Sequence, residues 1–129
     1  MEKTYMEWTM DYIEDGDIVH VKMLNPVNLE GTRQLCIEAN SLARQHQSHR
    51  YLIDHRGIDI VLTILDIDKI PDVFREVEAD FNGKTAILLD PNEPKRNLFD
   101  FLKNVLRLTS MHFELFSDEG EAIAWLKSV

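Results

Sequence analysis

Arg50-Tyr51-Leu52-Ile53-Asp54-His55-Arg56-Gly57 is the stretch whose reading decides the fold. Tyr51-Leu52-Ile53 is a short, wholly apolar run, and β-branched and aromatic residues of this kind suit a buried strand. An acid, an imidazole, a guanidinium and a glycine follow at once, so the strand, read as Tyr51 to His55, ends in chemically versatile side chains. A strand apolar on both faces belongs inside a parallel sheet covered on both sides. In open α/β sheets the carboxyl edge of such strands is where ligands and partners meet the fold.

Working outward, Thr4 to Ile13 alternates, with Met6, Trp8, Met10 and Tyr12 opposed to Glu7, Thr9 and Asp11. This is the period of a half-buried strand. Glu14-Asp15-Gly16-Asp17 reads as a hairpin turn in which Gly16 takes positive φ. Ile18 to Leu24 returns as a second alternating strand, and Asn25-Pro26 ends it. Asn28 caps a helix from Leu29 to about Gln47, whose apolar side is Leu35, Ile37, Ala39, Leu42 and Ala43.

Beyond Gly57, the segment Ile58 to Ile67 fits neither the strand nor the helix period. Either Thr63 or Asp68 caps a helix reaching Phe81, with Ile70, Val73, Phe74, Val77 and Phe81 as its buried stripe. Pro71 falls in the first turn if Asp68 is the cap, and Asn82-Gly83 is a stop. Thr85 to Leu89 is another two-sided strand. Asp90 to Pro94 is a turn, Pro94 opens a helix carrying Leu98, Phe99, Leu102, Val105 and Leu106, and His112 to Phe116 is the last strand. Asp118 and Glu121 have capping-box spacing before a final helix anchored by Ala122, Ile123, Trp125 and Leu126. The expected fold is therefore α/β: a single domain over 1–129 with a mixed, mostly parallel five-stranded sheet in the order β-β-α-β-α-β-α-β-α. Crossovers of this length join parallel strands and are right-handed.

Composition bounds the function. The 129 residues suit one domain, which buries roughly two-thirds of its unfolded surface. A net charge of −9 gives no general reason to bind nucleic acid or an anionic membrane. No apolar run approaches a membrane span or a signal core. Cys36 is the sole cysteine, so no internal disulfide forms and a reducing, cytoplasmic setting is expected.

The strand end Leu52 to Gly57, the run Lys84-Thr85-Ala86-Ile87-Leu88-Leu89, and Phe113-Glu114-Leu115-Phe116-Ser117-Asp118-Glu119-Gly120-Glu121-Ala122-Ile123-Ala124-Trp125-Leu126 carry a family likeness. With the element order they resemble the STAS-like group of small bacterial proteins. Its prototype is the anti-sigma-factor antagonist of sporulation (the SpoIIAA-like fold), and it shares a fold with lipid-binding CRAL-TRIO proteins. The resemblance implies a mixed sheet in near-sequential strand order with the helices mainly on one face, and a regulatory role through a protein partner. The CRAL-TRIO side implies an apolar or anionic ligand, lipid included, under a gate formed here by Ile58 to Ile67. Family members of the sigma pathway are switched by phosphorylation of a serine at the start of the second helix. Here Gly57 to Asp68 holds no serine, and Thr63 is the only hydroxyl available for modification.

The candidate site is the carboxyl edge: Asp54, His55 and Arg56 on one strand end, with Asp90, Asn92, Lys95 and Arg96 beyond the next. Cationic side chains and helix N-termini there suit an anion or a partner. Catalysis has little to stand on. Asp54 and His55 are adjacent on a strand and point to opposite faces. Cys36 lies beside an apolar helix face, as a buried thiol would. No nucleophile elbow, phosphate loop or dinucleotide fingerprint occurs, and no cofactor is expected. His46 and His49 could share a helix end, but two ligands fall short of a structural zinc site. The apolar residues on both faces of the central strands leave the second face covered by a homodimer, covered by one or two helices that cross over, or simply semi-exposed at its outer residues.

Overall fold

The computed structural model describes residues 7–79 and 82–128. Along the chain run β1 (Trp8–Ile13), β2 (Ile18–Met23), α1 (Leu29–His46), β3 (Arg50–Asp54) and α2 (Ile64–Glu76). They are followed by β4 (Lys84–Leu88), α3 (Arg96–Leu106), β5 (His112–Phe116) and α4 (Glu119–Lys127). The five strands form one sheet in the sequential order β1-β2-β3-β4-β5. β1 and β2 are antiparallel, joined through the turn at 14–17, where Gly16 has φ +98°. The remaining pairs are parallel, with Val21, Ile53, Ile87 and Leu115 aligned across the sheet.

Sequential parallel strands joined by right-handed crossovers put every connecting helix on one face. Leu35 and Ala39 of α1, Ile67 and Ile70 of α2, and Phe99, Leu102 and Leu106 of α3 accordingly share one core with Val19, Val21, Tyr51, Ile53 and Ile87. The second face is met by α4. Ala122 and Leu126, both fully buried, close over Ile18, Leu52, Ala86 and Leu88. Of the two covers anticipated for that face, the structure has the helix. Beyond α4, over β1 and β2, the same face turns polar: Asp11 pairs with His20 at 3.0 Å, with Lys22 one register step on.

Local chemistry explains the helix bounds. Asn28 Oδ1 accepts from Gly31 N at 2.8 Å and starts α1. α1 ends with Gln47 at φ 54° while the Ser48 N–H returns to Ala43 O at 2.9 Å, a left-handed closure without glycine. α2 is capped by Thr63, not Asp68, in a reciprocal capping box with Asp66. Pro71 therefore lies in the helix interior and not in the first turn, which removes one N–H from the ladder. The helix also stops at Glu76, short of the expected Phe81, because Glu78 adopts φ 56° and the Ala79 N–H closes on Phe74 O at 2.9 Å. Phe81 and Met6, expected in the buried faces of α2 and β1, lie outside the described residues. Ile37, expected on the core side of α1, is exposed, and Asn40 is buried in that neighbourhood instead.

If α4 is the cover of the second face, Leu126→Ala removes a fully buried side chain from a small core. The expected cost is about 2–5 kcal/mol in urea-unfolding stability. A loss below about 0.5 kcal/mol, the range of an ordinary surface change, would show that α4 does not hold that face.

Candidate functional site

Successive side chains on β3 go to opposite layers of the protein. Leu52 and Asp54 face α4, whereas Tyr51, Ile53 and, just past the strand, His55 face α1–α3. The sequence-adjacent pair Asp54 and His55 is thereby split between two environments.

Asp54, 3% exposed, is the hub of an ion cluster. Arg56 binds it in bidentate fashion, Nε to Oδ1 at 3.0 Å and Nη2 to Oδ2 at 2.9 Å, while the Arg56 N–H donates to Oδ1 at 2.9 Å. Lys22 Nζ lies 3.4 Å from Oδ2 and donates to Arg56 O at 3.3 Å. Glu119 at the head of α4 lies 3.9 Å from Arg56. Burial pushes the Asp54 carboxyl up, but the Arg56 hydrogen bonds and the Lys22 charge outweigh it and hold the group below the usual carboxylate range. The carboxylate fills the place that an anion would take between these two cations.

The other edge residues secure loops. Asp90 Oδ2 accepts from Gly57 N at 2.7 Å, where Gly57 has φ +75°. Lys95 Nζ donates to Leu62 O at 3.3 Å, tying the start of α3 to the β3–α2 crossover. That crossover is also pinned by a parallel bridge of Ile60 with Val27. Asn92 is exposed in the turn after β4, and Arg96 is the first residue of α3. Thr63 is exposed, but its oxygen is engaged as the α2 cap, accepting from Asp66 N at 3.3 Å. At the end of α1, the His46 ring stacks on Tyr12 at 3.7 Å. Among the described residues no cluster of three metal-ligating side chains occurs, and no helix is long and apolar enough to cross a membrane.

His55 faces a cavity of about 120 Å³ between the sheet and α1–α3. Leu35, Cys36 and Ala39 of α1 form one wall, Ile70 and Phe74 of α2 and Phe99 and Leu102 of α3 the others, and Ile53, Ile87 and Phe113 the floor. Among the described residues, no Asp, Glu, Lys or Arg lines it. Two polar residues in the wall are already engaged. Asn40 Nδ2 donates to Val77 O and Glu78 O, both at 3.1 Å, and Thr32 Oγ1 donates to Asn28 O at 2.8 Å. The Cys36 thiol is pushed up to about 12 by burial, so it stays protonated at neutral pH. His55 is 6% exposed, its ring 5.5 Å from that of Phe99, and its Nδ1 is buried with no hydrogen-bond partner among the described residues. Burial pushes its pKa down to about 4, with Asp54 opposing that shift and Lys22 adding to it. The imidazole is therefore neutral at pH 7.

The edge residues read from the sequence thus divide. Asp54, Arg56, Asp90 and Lys95 knit the loops, while His55 belongs to the cavity. Lys22 and Glu119 were not anticipated in the cluster, although the alternation of β2 put Lys22 on the face away from Val21 and Met23.

No family model matches the chain, and no curated protein matches it. Among solved structures, it is similar to an uncharacterized protein from the DUF3478 family with a SpoIIAA-like fold from Shewanella loihica PV-4. The two are 18% identical, each is covered over 98% of its length, and the TM-score is 0.60. Likeness at that identity shows the fold.

His55 makes stability depend on pH with a definite sign. In the unfolded chain it takes up a proton below its ordinary 6.5, and in the fold only near 4. The unfolded state therefore holds more protons across that window, and stability falls as pH is lowered through it, by up to ~1.4 kcal/mol per pH unit. Urea unfolding between pH 6.5 and 4 should show His55→Leu lacking this part of the slope. Equal slopes in the two proteins would contradict a neutral, buried His55.

Proposed function

We propose, with the SpoIIAA-like fold as premise, that the chain is a non-catalytic binding module holding one small, neutral, largely apolar molecule between its sheet and α1–α3. The observation that carries this reading is an apolar cavity of about 120 Å³ with no charged side chain among the described residues of its wall. A cavity of ~150 Å³ lined by Leu, Ile and Phe stays dry and accepts benzene, so the space here suits a single ring or a short branched chain and not a lipid. The β3–α2 crossover contributes Leu62 to the wall and takes the position of the gate implied by the CRAL-TRIO likeness. The carboxyl edge gives less support to an enzyme or an anion site, since Arg56 and Lys22 are already occupied by Asp54. A cytoplasmic setting agrees with the lone thiol of Cys36.

Benzene at saturating concentration should shift the amide resonances of Leu35, Ile87 and Leu102 in a ¹H–¹⁵N spectrum and raise the melting temperature. Ala39→Leu, which places a larger side chain in the cavity wall, should abolish both effects while leaving the spectrum folded. Unchanged resonances at saturation would remove this reading.

A second reading, a regulatory protein partner or a second copy of the chain, is favoured by Val61, Ile64 and Leu65. These residues leave the crossover and the first turn of α2 at 53%, 56% and 71% exposure. Neighbouring apolar side chains left this open suit an interface. Native mass spectrometry of protein purified from its own source should then find a complex that Leu65→Glu dissociates. A bare monomer from both proteins would remove the interface reading.

A further inference from the structure

Of the residues that line the cavity, His55 has a fully buried polar atom, Nδ1, that no described residue serves. Asn40 and Thr32, which also line the space, spend their donors on backbone carbonyls. Buried polar atoms are almost always paired, so an orphan facing a cavity calls for a partner from outside the chain. The Phe99 ring, tilted by 53° against the imidazole, packs beside it.

We infer that His55 is a specificity-determining residue that reads a hydroxyl group, so that the molecule held in the cavity is a small neutral alcohol or phenol and not a pure hydrocarbon. This deepens the cavity reading above and rests on it. The chemistry selects the group. A neutral imidazole presents Nδ1 as a donor or an acceptor depending on its tautomer, and a hydroxyl meets it either way because it both donates and accepts. A carboxylate or an ammonium would be buried among described side chains that offer no opposite charge, which is prohibitive.

Phenol and toluene have nearly the same shape and differ by a hydroxyl in place of a methyl group, so they isolate this contact. Titration calorimetry of each ligand into wild type and His55→Leu is the test, with His55→Phe as a second variant should leucine disturb the fold. The expected result is that the ratio of phenol affinity to toluene affinity falls about tenfold in the variant while toluene still binds, as loss of one net hydrogen bond implies. If both ligands bind and the ratio does not change, His55 does not read the hydroxyl and the inference fails while the cavity reading stands. If neither ligand binds the wild type, the cavity reading fails and takes the inference with it.

Discussion

Everything in this protein follows from one geometric constraint, a central strand buried on both faces whose side chains alternate between them. β3 cannot present Asp54 and His55 to the same place. The acid goes to the α4 side, where it must be compensated, and Arg56 and Lys22 do so at hydrogen-bonding distance. The imidazole goes to the α1–α3 side, where no described lining residue carries a charge and burial keeps it neutral. Two polar residues, adjacent in the chain, thus acquire unrelated roles because a strand has a period of two.

The two environments remain mechanically joined. The Asp54 cluster fixes the exit of β3, Asp90 holds Gly57, and Lys95 together with the Val27–Ile60 bridge holds the crossover down to Leu62. That crossover forms part of the cavity wall. The charged edge can therefore be understood as the fastening of the roof over an apolar space. Asp54 is the buried member of this cluster, and Arg56 and Lys22, both partly exposed, compensate its charge.

The fold was legible in the sequence because its strands carry strong periodic signals. Alternation in Trp8 to Tyr12 and the two-sided apolar runs at Tyr51 and Ala86 correspond to the edge and the centre of the sheet. The segment Ile58 to Ile67 resisted reading for a physical reason. It contains a single bridge residue pair and a helix turn whose Ile64 and Leu65 stay exposed, so its hydrophobicity does not report burial. Ile37 misleads in the same way. Helix ends closed by Gln47 and Glu78 in the left-handed region carry no glycine to announce them. The site was half legible: the polar residues at the end of β3 stood out, but their partition needed the second face to be occupied. The cavity has no local signature, since its volume depends on how far three helices stand from the sheet.

The position of α4 has a consequence for any shortened form of this chain. The first core draws its helices from inside the crossovers, but Ile18, Leu52, Ala86 and Leu88 are covered by Ala122 and Leu126, which lie past β5. A chain cut between β5 and α4 would keep all five strands and still leave one flank of the sheet as an open apolar strip, the kind of surface that chaperones and aggregates both recognise.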